Sequence, residues 1–322
     1  MKRGAKAALV GMAALSVAAA ATIALRTGAG PLSDPEGCTA TVRGHQVALS
    51  LEQSENAALI AAIGVRRGLP ARAVSIALAA AYQESKITNI EVGDRDSLGI
   101  FQQRPSQGWG TRAEILDPYY ATNAFYDALV KIDGYQEMRI TEAAQEVQRS
   151  GFPEAYQAHA EDARALASAL TGYSPARFTC VVGNAPSSPR KLNGAGLTST
   201  AATVRRDVQA AFGDLPLGGF APGGVRSGHM KGSAHYDGRA IDVFVRPVSA
   251  SNKREGWAVA AYLVAQADRL GIDHVIFDGR IWTAGRASEA GWRPYDPGDT
   301  SGKSAETIAI LEHRDHVHVD VA

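Results

Sequence analysis

Apolar residues recur at helical spacing through much of the first half of the chain. Val74, Leu78 and Ala81, for example, fall on one face of a single helix. The same spacing predicts helices over 52–67, 70–85, 118–133, 141–150 and 154–171. Residues 88–117 break the pattern with Gly, Asp, Pro and Gln, which predicts a long loop. We therefore expect a nearly all-α domain over 50–183.

The pattern changes beyond a Gly-, Pro- and Ser-rich stretch at 184–199, which we interpret as a linker. Short runs of β-forming residues now alternate with helical segments, which indicates an α+β domain over 200–322. Its predicted helices are 200–212 and 252–270, and its predicted strands are 239–245, 273–277 and 315–321. Residues 27–49 are assigned to a tether before the first domain.

The first 26 residues have the order of an export segment. Lys2, Arg3 and Lys6 precede an uncharged stretch over 7–25. A basic start followed by an apolar run is typical of a secretory signal, and the run approaches the roughly 20 residues that span a bilayer. Residues 1–26 are predicted to be either a cleaved signal peptide or a membrane anchor, so the protein is expected outside the cell or in the cell wall.

Charge and cysteine content narrow the function further. Lys+Arg and Asp+Glu both number 33, so no net positive charge favours binding to nucleic acid. Two cysteines are present, Cys38 and Cys180, and they bracket the predicted helical domain. An even pair in an exported protein indicates one disulfide, and two free buried thiols are the alternative.

The C-terminal region holds two separated polar motifs. The first is SAHYDGRAIDV, in which Gly238 permits a turn that brings His235 back over Asp242. The second is DHVHVDV, with His316 and His318 two residues apart. Residues two apart on a strand share a face, so each strand presents its polar groups to one side. Imidazoles and a carboxylate that converge in this way are a donor set for zinc.

Both motifs resemble those of the zinc peptidases typified by D-alanyl-D-alanine carboxypeptidases, lysostaphin and the Hedgehog fold. Residues 233–242 match every fixed position of the family motif S-x-H-x-x-G-x-A-x-D. Asp315 and His318 have the spacing of the family's second motif, an acidic general base three residues before a histidine ligand. The resemblance covers roughly 200–322 and implies that fold.

The resemblance also implies a role for each residue. One zinc ion would have three protein ligands, namely His235, Asp242 and His318. Asp315 would activate the attacking water, and Arg226 would offset charge on the tetrahedral intermediate. His316 matches the H-x-H variant of the motif, in which the first histidine assists at the carbonyl.

The C-terminal region contains further histidines and serines. His229, His274 and His313 lie outside the motifs and are predicted to be surface or turn residues. A serine nucleophile, Ser227 or Ser233, would need a G-x-S-x-G elbow, and the sequence has none.

A second candidate site lies in the helical region. Glu84 ends an apolar helix and opens into the loop SLGIFQQ, at the edge of a core where desolvation favours a protonated carboxyl. Glycoside hydrolysis needs a general acid of this kind. A solvated carboxylate at a helix end is the alternative. Asp94 and Asp96 could serve as a second carboxylate, although Asp beside Gly is more typical of turns.

The Glu84-Ser85 pair after an apolar helix resembles lysozyme-like lytic transglycosylases. Their Ser/Gly/Gln loop, which lines the sugar cleft, resembles the stretch that contains Ser97, Gly99 and Gln102. The likeness covers roughly 50–172 and implies a lysozyme-like fold. Together the two resemblances predict an exported bifunctional peptidoglycan hydrolase. The alternative is a non-catalytic wall-binding or regulatory protein in which one or both sites have lost activity.

Overall fold

The computed structural model describes residues 35–322, so the predicted export segment lies outside the described residues. Among the described residues, every helix is too short or too polar to cross a lipid bilayer. The described α-helices are α1 (Leu51–Arg66), α2 (Ala71–Ser85), α3 (Arg112–Ile115), α4 (Pro118–Leu129), α5 (Ile140–Gln148), α6 (Ala160–Leu170), α7 (Ser199–Phe212), α8 (Ala250–Ala265), α9 (Ala267–Leu270) and α10 (Ala305–Leu311). The described strands are β1 (Gly37–Val42), β2 (His45–Leu49), β3 (Phe178–Val181), β4 (Leu217–Gly218), β5 (Ala240–Phe244), β6 (Ile272–Phe277), β7 (Arg280–Thr283), β8 (Arg293–Pro294) and β9 (His316–Val321).

Helix α2 lies at the centre of the helical part, as its uninterrupted apolar sequence predicts. All residues from 73 to 81 are buried, and the helix packs against α5 and α6. Glu84 is the penultimate residue of this helix, which ends at Lys86 in the left-handed conformation. The loop that follows contains only one short 3-10 turn before α3.

The tether prediction is wrong for residues 37–49, which form the hairpin β1–β2. Arg43 and Gly44 connect the strands, both with positive φ (52° and 84°), as a two-residue hairpin turn requires. Strand β3 pairs with the other edge of β1, so the helical part carries a small antiparallel sheet in the order β2-β1-β3. The strands of this hairpin have only six and five residues, and such short runs give a weak signal beside a Gly- and Pro-rich stretch.

The predicted Cys38–Cys180 disulfide is confirmed. The two residues lie directly opposite each other in the β1–β3 register, with Cα atoms 3.9 Å apart. Both side chains are buried. The bond closes a segment of 142 residues, and it is compatible with a secreted protein.

The larger sheet has six antiparallel strands in the order β4-β5-β9-β6-β7-β8. Strand β9 therefore lies between β5 and β6, and all six of its residues are buried. Val317, Val319 and Val321 share one face of the strand and belong to the hydrophobic core, to which α8 also contributes. The opposite face carries His316, His318 and Asp320.

Helix α8 joins the sheet to the helical part. It contacts β6 and β9 on one side and α1 on another. Beside it, the Gln266 side-chain amide donates to the Glu55 carbonyl at 3.0 Å, and Arg66 donates to the Ala210 carbonyl at 3.0 Å. Residues 36–322 thus form one compact unit of helices and antiparallel sheets. The division into two domains at 184–199 stays a prediction.

Candidate metal centre and catalytic cleft

Strand pairing brings the two sequence motifs together. Asp242 of β5 lies directly opposite His318 of β9, and Phe244 lies opposite His316. Because cross-strand partners project to the same side of a sheet, the Asp242 and His318 side chains meet on one face. The two residues are 76 positions apart in the sequence.

His235 reaches the same point from a short 3-10 turn, Ala234–Asp237, that precedes β5. Gly238 ends this turn with φ 64°, and a Cβ there would lie 2.5 Å from the Gly196 carbonyl oxygen. Only glycine fits both the conformation and the space. The turn sets the His235 ring over the sheet, where it is almost fully buried.

The three side chains form a tight triangle of potential ligand atoms. His235 Nε2 lies 3.0 Å from His318 Nδ1 and 3.2 Å from Asp242 Oδ1. His318 Nδ1 lies 3.2 Å from Asp242 Oδ1. Bonds of about 2.0–2.1 Å to a tetrahedral zinc ion place its ligand atoms roughly 3.3–3.4 Å apart. The residues present therefore fit such an ion.

Outer hydrogen bonds orient both imidazoles toward that triangle. His235 Nδ1 donates to the Gly219 carbonyl oxygen at 2.7 Å, which leaves the Nε2 lone pair facing Asp242. His318 Nε2 bonds Asp320 Oδ2 at 3.3 Å, so its Nδ1 faces the triangle. A Cβ on Gly219 would lie 2.2 Å from the His235 ring, so that glycine is needed for close approach.

The electrostatics of the triangle favour positive charge. Burial alone would raise the pKa of Asp242, but the neighbouring imidazoles of His235 and His318 hold it well below its usual range. Burial would lower the pKa of His318, but its bonds to Asp242 and Asp320 raise it to about 9. Two buried carboxylates flank this imidazole, which is a strongly cation-attracting arrangement.

Asp315 contacts His316 rather than the triangle. Its Oδ1 accepts from His316 Nδ1 at 2.7 Å, and its Oδ2 accepts from Arg246 Nε at 2.6 Å. Burial opposes ionisation of Asp315, yet these two partners lower its pKa. His316 Nε2, by contrast, points toward the triangle and lies 3.8 Å from Asp242 Oδ1.

The three histidines that were predicted to be surface or turn residues lie close to the triangle. The His229 ring stacks on His235 at a centroid distance of 3.9 Å. His274 Nδ1 donates to Asp320 Oδ1 at 2.9 Å, in a small group with Asp273. His313 does occupy a turn, with φ 53°, but its ring lies 4.7 Å from that of His316. All three line the cleft, which His229 and His313 reach from loops and His274 reaches from strand β6.

The triangle opens into a cleft of about 620 Å³. Lys231, Arg239 and Arg246 supply its basic lining, and Tyr295 lies on its wall. Arg226 is exposed and is not part of this lining, so Arg246 is the guanidinium that the structure brings next to His316 through Asp315. The oxyanion role of Arg226 stays a prediction.

Glu84 lies at a second, separate place in the helical part. Its Oε1 accepts a hydrogen bond of 2.6 Å from the hydroxyl of the buried Tyr156. Burial raises the pKa of Glu84, and hydrogen bonds from Tyr156 and Gln148 offset part of that rise. Glu84 is therefore not a fully solvated carboxylate at a helix end, which was the alternative interpretation. Gln148 also donates to the Phe101 carbonyl at 2.8 Å, which ties the loop after α2 to this carboxyl.

The predicted sugar-binding residues stabilise that loop. Ser97 is buried, and the Gln102 side chain donates to the Gly99 carbonyl at 3.2 Å. Gly99 has φ 73°, and a Cβ there would meet the Ile115 carbonyl at 2.7 Å. Asp96 accepts from Arg104 at 2.6 Å and from the Ser106 amide at 2.9 Å, as a turn residue would.

Sequence reasoning missed several residues that the structure brings to these places. Asp320 continues the alternation of β9 by two positions beyond His318, so the period of two was a usable signal, whereas Arg246 lies beyond the end of β5. No sequence pattern pointed to Tyr156, which lies in a 3-10 turn where a helix was predicted.

Comparison with known families gives one partial match. Residues 193–307 match the protein family described as VldE, C-terminal domain. The match covers about a third of the 322 residues, and its description states no activity. It includes His235 and Asp242 and ends before His318. No curated protein matches the chain. The match thus covers the sequence of the larger sheet from β4 to β8 and leaves out β9.

Proposed function

We propose that this protein is an exported zinc-dependent peptidase that cleaves stem or cross-link peptides of peptidoglycan. One observation carries the proposal: His235 Nε2, Asp242 Oδ1 and His318 Nδ1 lie 3.0–3.2 Å from one another. That spacing matches adjacent corners of a zinc tetrahedron, and three protein ligands leave the fourth corner for catalysis.

When bound, zinc supplies Lewis acidity toward a peptide carbonyl and lowers the pKa of a water molecule toward about 7. His316 Nε2 lies 3.8 Å from Asp242 Oδ1, beside the proposed ligands, and would take the proton of the attacking water. Asp315 holds the Nδ1–H of His316 and stabilises the imidazolium that forms, and Arg246 holds Asp315. His316 therefore takes the general-base role that motif spacing alone gave to Asp315, which becomes its positioning residue.

Peptidoglycan as the substrate rests on different support. The predicted export segment, the disulfide and the resemblances of both regions point to the cell wall. Membrane anchoring through 7–25 is part of this proposal and lies outside the described residues. The cleft is lined by both carboxylates and basic side chains, so it could contact amino and carboxyl groups of a peptide.

Metal analysis combined with muropeptide cleavage tests the peptidase. Wild type should contain one zinc ion per chain and release peptide fragments. His235→Ala and His318→Ala should lose the metal, because each removes one of three ligands. The matched control is His45→Ala, since His45 bonds Asp162 in the helical part. Full zinc content in both ligand variants would refute the centre. Zinc without peptide cleavage would favour a wall-binding or regulatory protein.

A specific observation favours a second activity, glycan cleavage with Glu84 as acid and base. The carboxyl is desolvated, its pKa is raised, and it lies beside the loop that resembles a sugar-binding loop. Glu84→Gln keeps the shape but cannot cycle a proton. Unchanged digestion of purified glycan strands by this variant would exclude the role, and the products would distinguish hydrolysis from transglycosylation.

A further inference from the structure

His229 lies on the loop between β4 and the turn that carries His235. Its ring is nearly parallel to that of His235, with an interplanar angle of 22° and a centroid distance of 3.9 Å. Ligand atoms of His229, His235 and Asp242 lie within 4.8 Å of one another. The loop therefore brings a third imidazole to the open side of the triangle.

This position of His229 is fixed by specific contacts. The Tyr236 hydroxyl accepts from the His229 amide at 3.0 Å and donates to the His229 carbonyl at 2.6 Å. Tyr236 follows His235 directly, so a single short turn holds both imidazoles. The neighbouring Met230 contacts Tyr295 across the cleft, with sulfur and hydroxyl 3.9 Å apart.

We propose that His229 is a fourth, reversible protein ligand of the zinc centre. The inference rests on the proposed centre of His235, Asp242 and His318. Corners of a zinc tetrahedron are roughly 3.3 Å apart, so the His229 ligand atom must approach those of His235 and Asp242 by no more than about 1.5 Å. No change in the sheet is required.

A fourth protein ligand changes what the centre does. Catalytic zinc sites keep one position for water, whereas sites with four protein ligands are closed. With His229 bound, the centre is latent, and displacement of the loop by a peptide substrate opens the position that the reaction needs. Gly228 and Gly232 flank the segment with φ 92° and 81°, so the backbone at both ends is free of Cβ constraints.

Three measurements on the full chain test this inference. X-ray absorption of the zinc-loaded wild type should count three imidazole ligands. His229→Ala should weaken zinc affinity about 10- to 100-fold. The absorption spectrum of its cobalt-substituted form should differ from that of wild type, because a water oxygen would replace one imidazole nitrogen. Peptide turnover per bound zinc should rise in the same variant, and His45→Ala should behave as wild type.

The outcomes separate this inference from the proposed function. Two imidazole ligands in wild type, with unchanged affinity and cobalt absorption in His229→Ala, would overturn the fourth ligand and leave the three-ligand centre intact. Full metal content in His235→Ala and His318→Ala would instead overturn the centre. Because the ligand count uses wild type alone, a folding defect of His229→Ala cannot obscure the result. Tyr236→Phe, which keeps every imidazole, should move the cobalt spectrum toward that of His229→Ala.

Discussion

Asp320 connects two imidazoles behind the proposed metal centre, and its removal is a sharp test of that arrangement. The carboxylate is 8% exposed and accepts from His318 Nε2 at 3.3 Å and from His274 Nδ1 at 2.9 Å. Only the first of these bonds touches a proposed ligand. Asp320→Ala removes both bonds, whereas His274→Ala removes the outer one and leaves Asp320 on His318.

The expected magnitudes follow from that difference. Loss of an outer-shell partner of a metal ligand typically costs 10- to 100-fold in affinity, or about 1.4–2.7 kcal/mol. The affinity loss in Asp320→Ala should lie near the upper end of this range, because the variant also leaves the buried His318 Nε2–H unpaired. That unpaired group should lower the folding stability by about 1–3 kcal/mol. His274→Ala should lie near the lower end. His45→Ala should show no change.

Competition with a zinc-binding dye measures the affinities, and thermal unfolding with and without zinc gives an independent estimate through ligand-linked stabilisation. Equal affinity in Asp320→Ala and wild type would refute the orienting role. If His274→Ala instead loses a second equivalent of zinc while the first remains, then Asp273, His274 and Asp320 themselves bind an ion.

Three further predictions use other parts of the chain. Cys38→Ala/Cys180→Ala should lower the free energy of unfolding, followed by urea denaturation, by about 5 kcal/mol, since the closed loop spans 142 residues. Tyr156→Phe should raise the pKa of Glu84 further, measured by carboxyl NMR titration, because the lost hydroxyl stabilises the charged form; the protonated acid then persists to higher pH. His316→Ala should keep zinc but lower peptide turnover by about 10²- to 10⁴-fold, measured as muropeptide cleavage per bound zinc.

Each of these has an outcome that contradicts it. A loss below 1 kcal/mol in the double cysteine variant would mean that the unfolded chain gains little freedom from the open loop. A pKa of Glu84 that falls in Tyr156→Phe would mean that the phenol favours the neutral carboxyl. Full turnover in His316→Ala would return the base role to Asp315.

Local sequence patterns predicted the pieces of the candidate site well. The period of two placed His316 and His318 on one face, and Gly238 marked the turn that returns His235 to the sheet. These features depend on neighbours in the sequence. The choice of partners does not: Asp242 opposite His318 is a non-local pairing, and only the family resemblance pointed to it.

The β1–β2 hairpin and the proposed general base could not be predicted from the sequence. Residues 37–49 form two short strands that pairing with β3 and the disulfide hold in place, and these contacts are not local in the sequence. Asp315 has the right spacing for a base, but Arg246 and His316 occupy both of its oxygens. The position of Arg246, four residues beyond Asp242, depends on how the chain leaves β5.

The two faces of strand β9 also define its register against β5. Its two faces differ completely, with valines on the core side and His316, His318 and Asp320 on the cleft side. A slip of one residue against β5 would exchange the two sets, driving ionisable groups into the core and valines into the cleft. The proposed cation would therefore stabilise only the aligned register of β5 and β9, because a slip would separate its ligands.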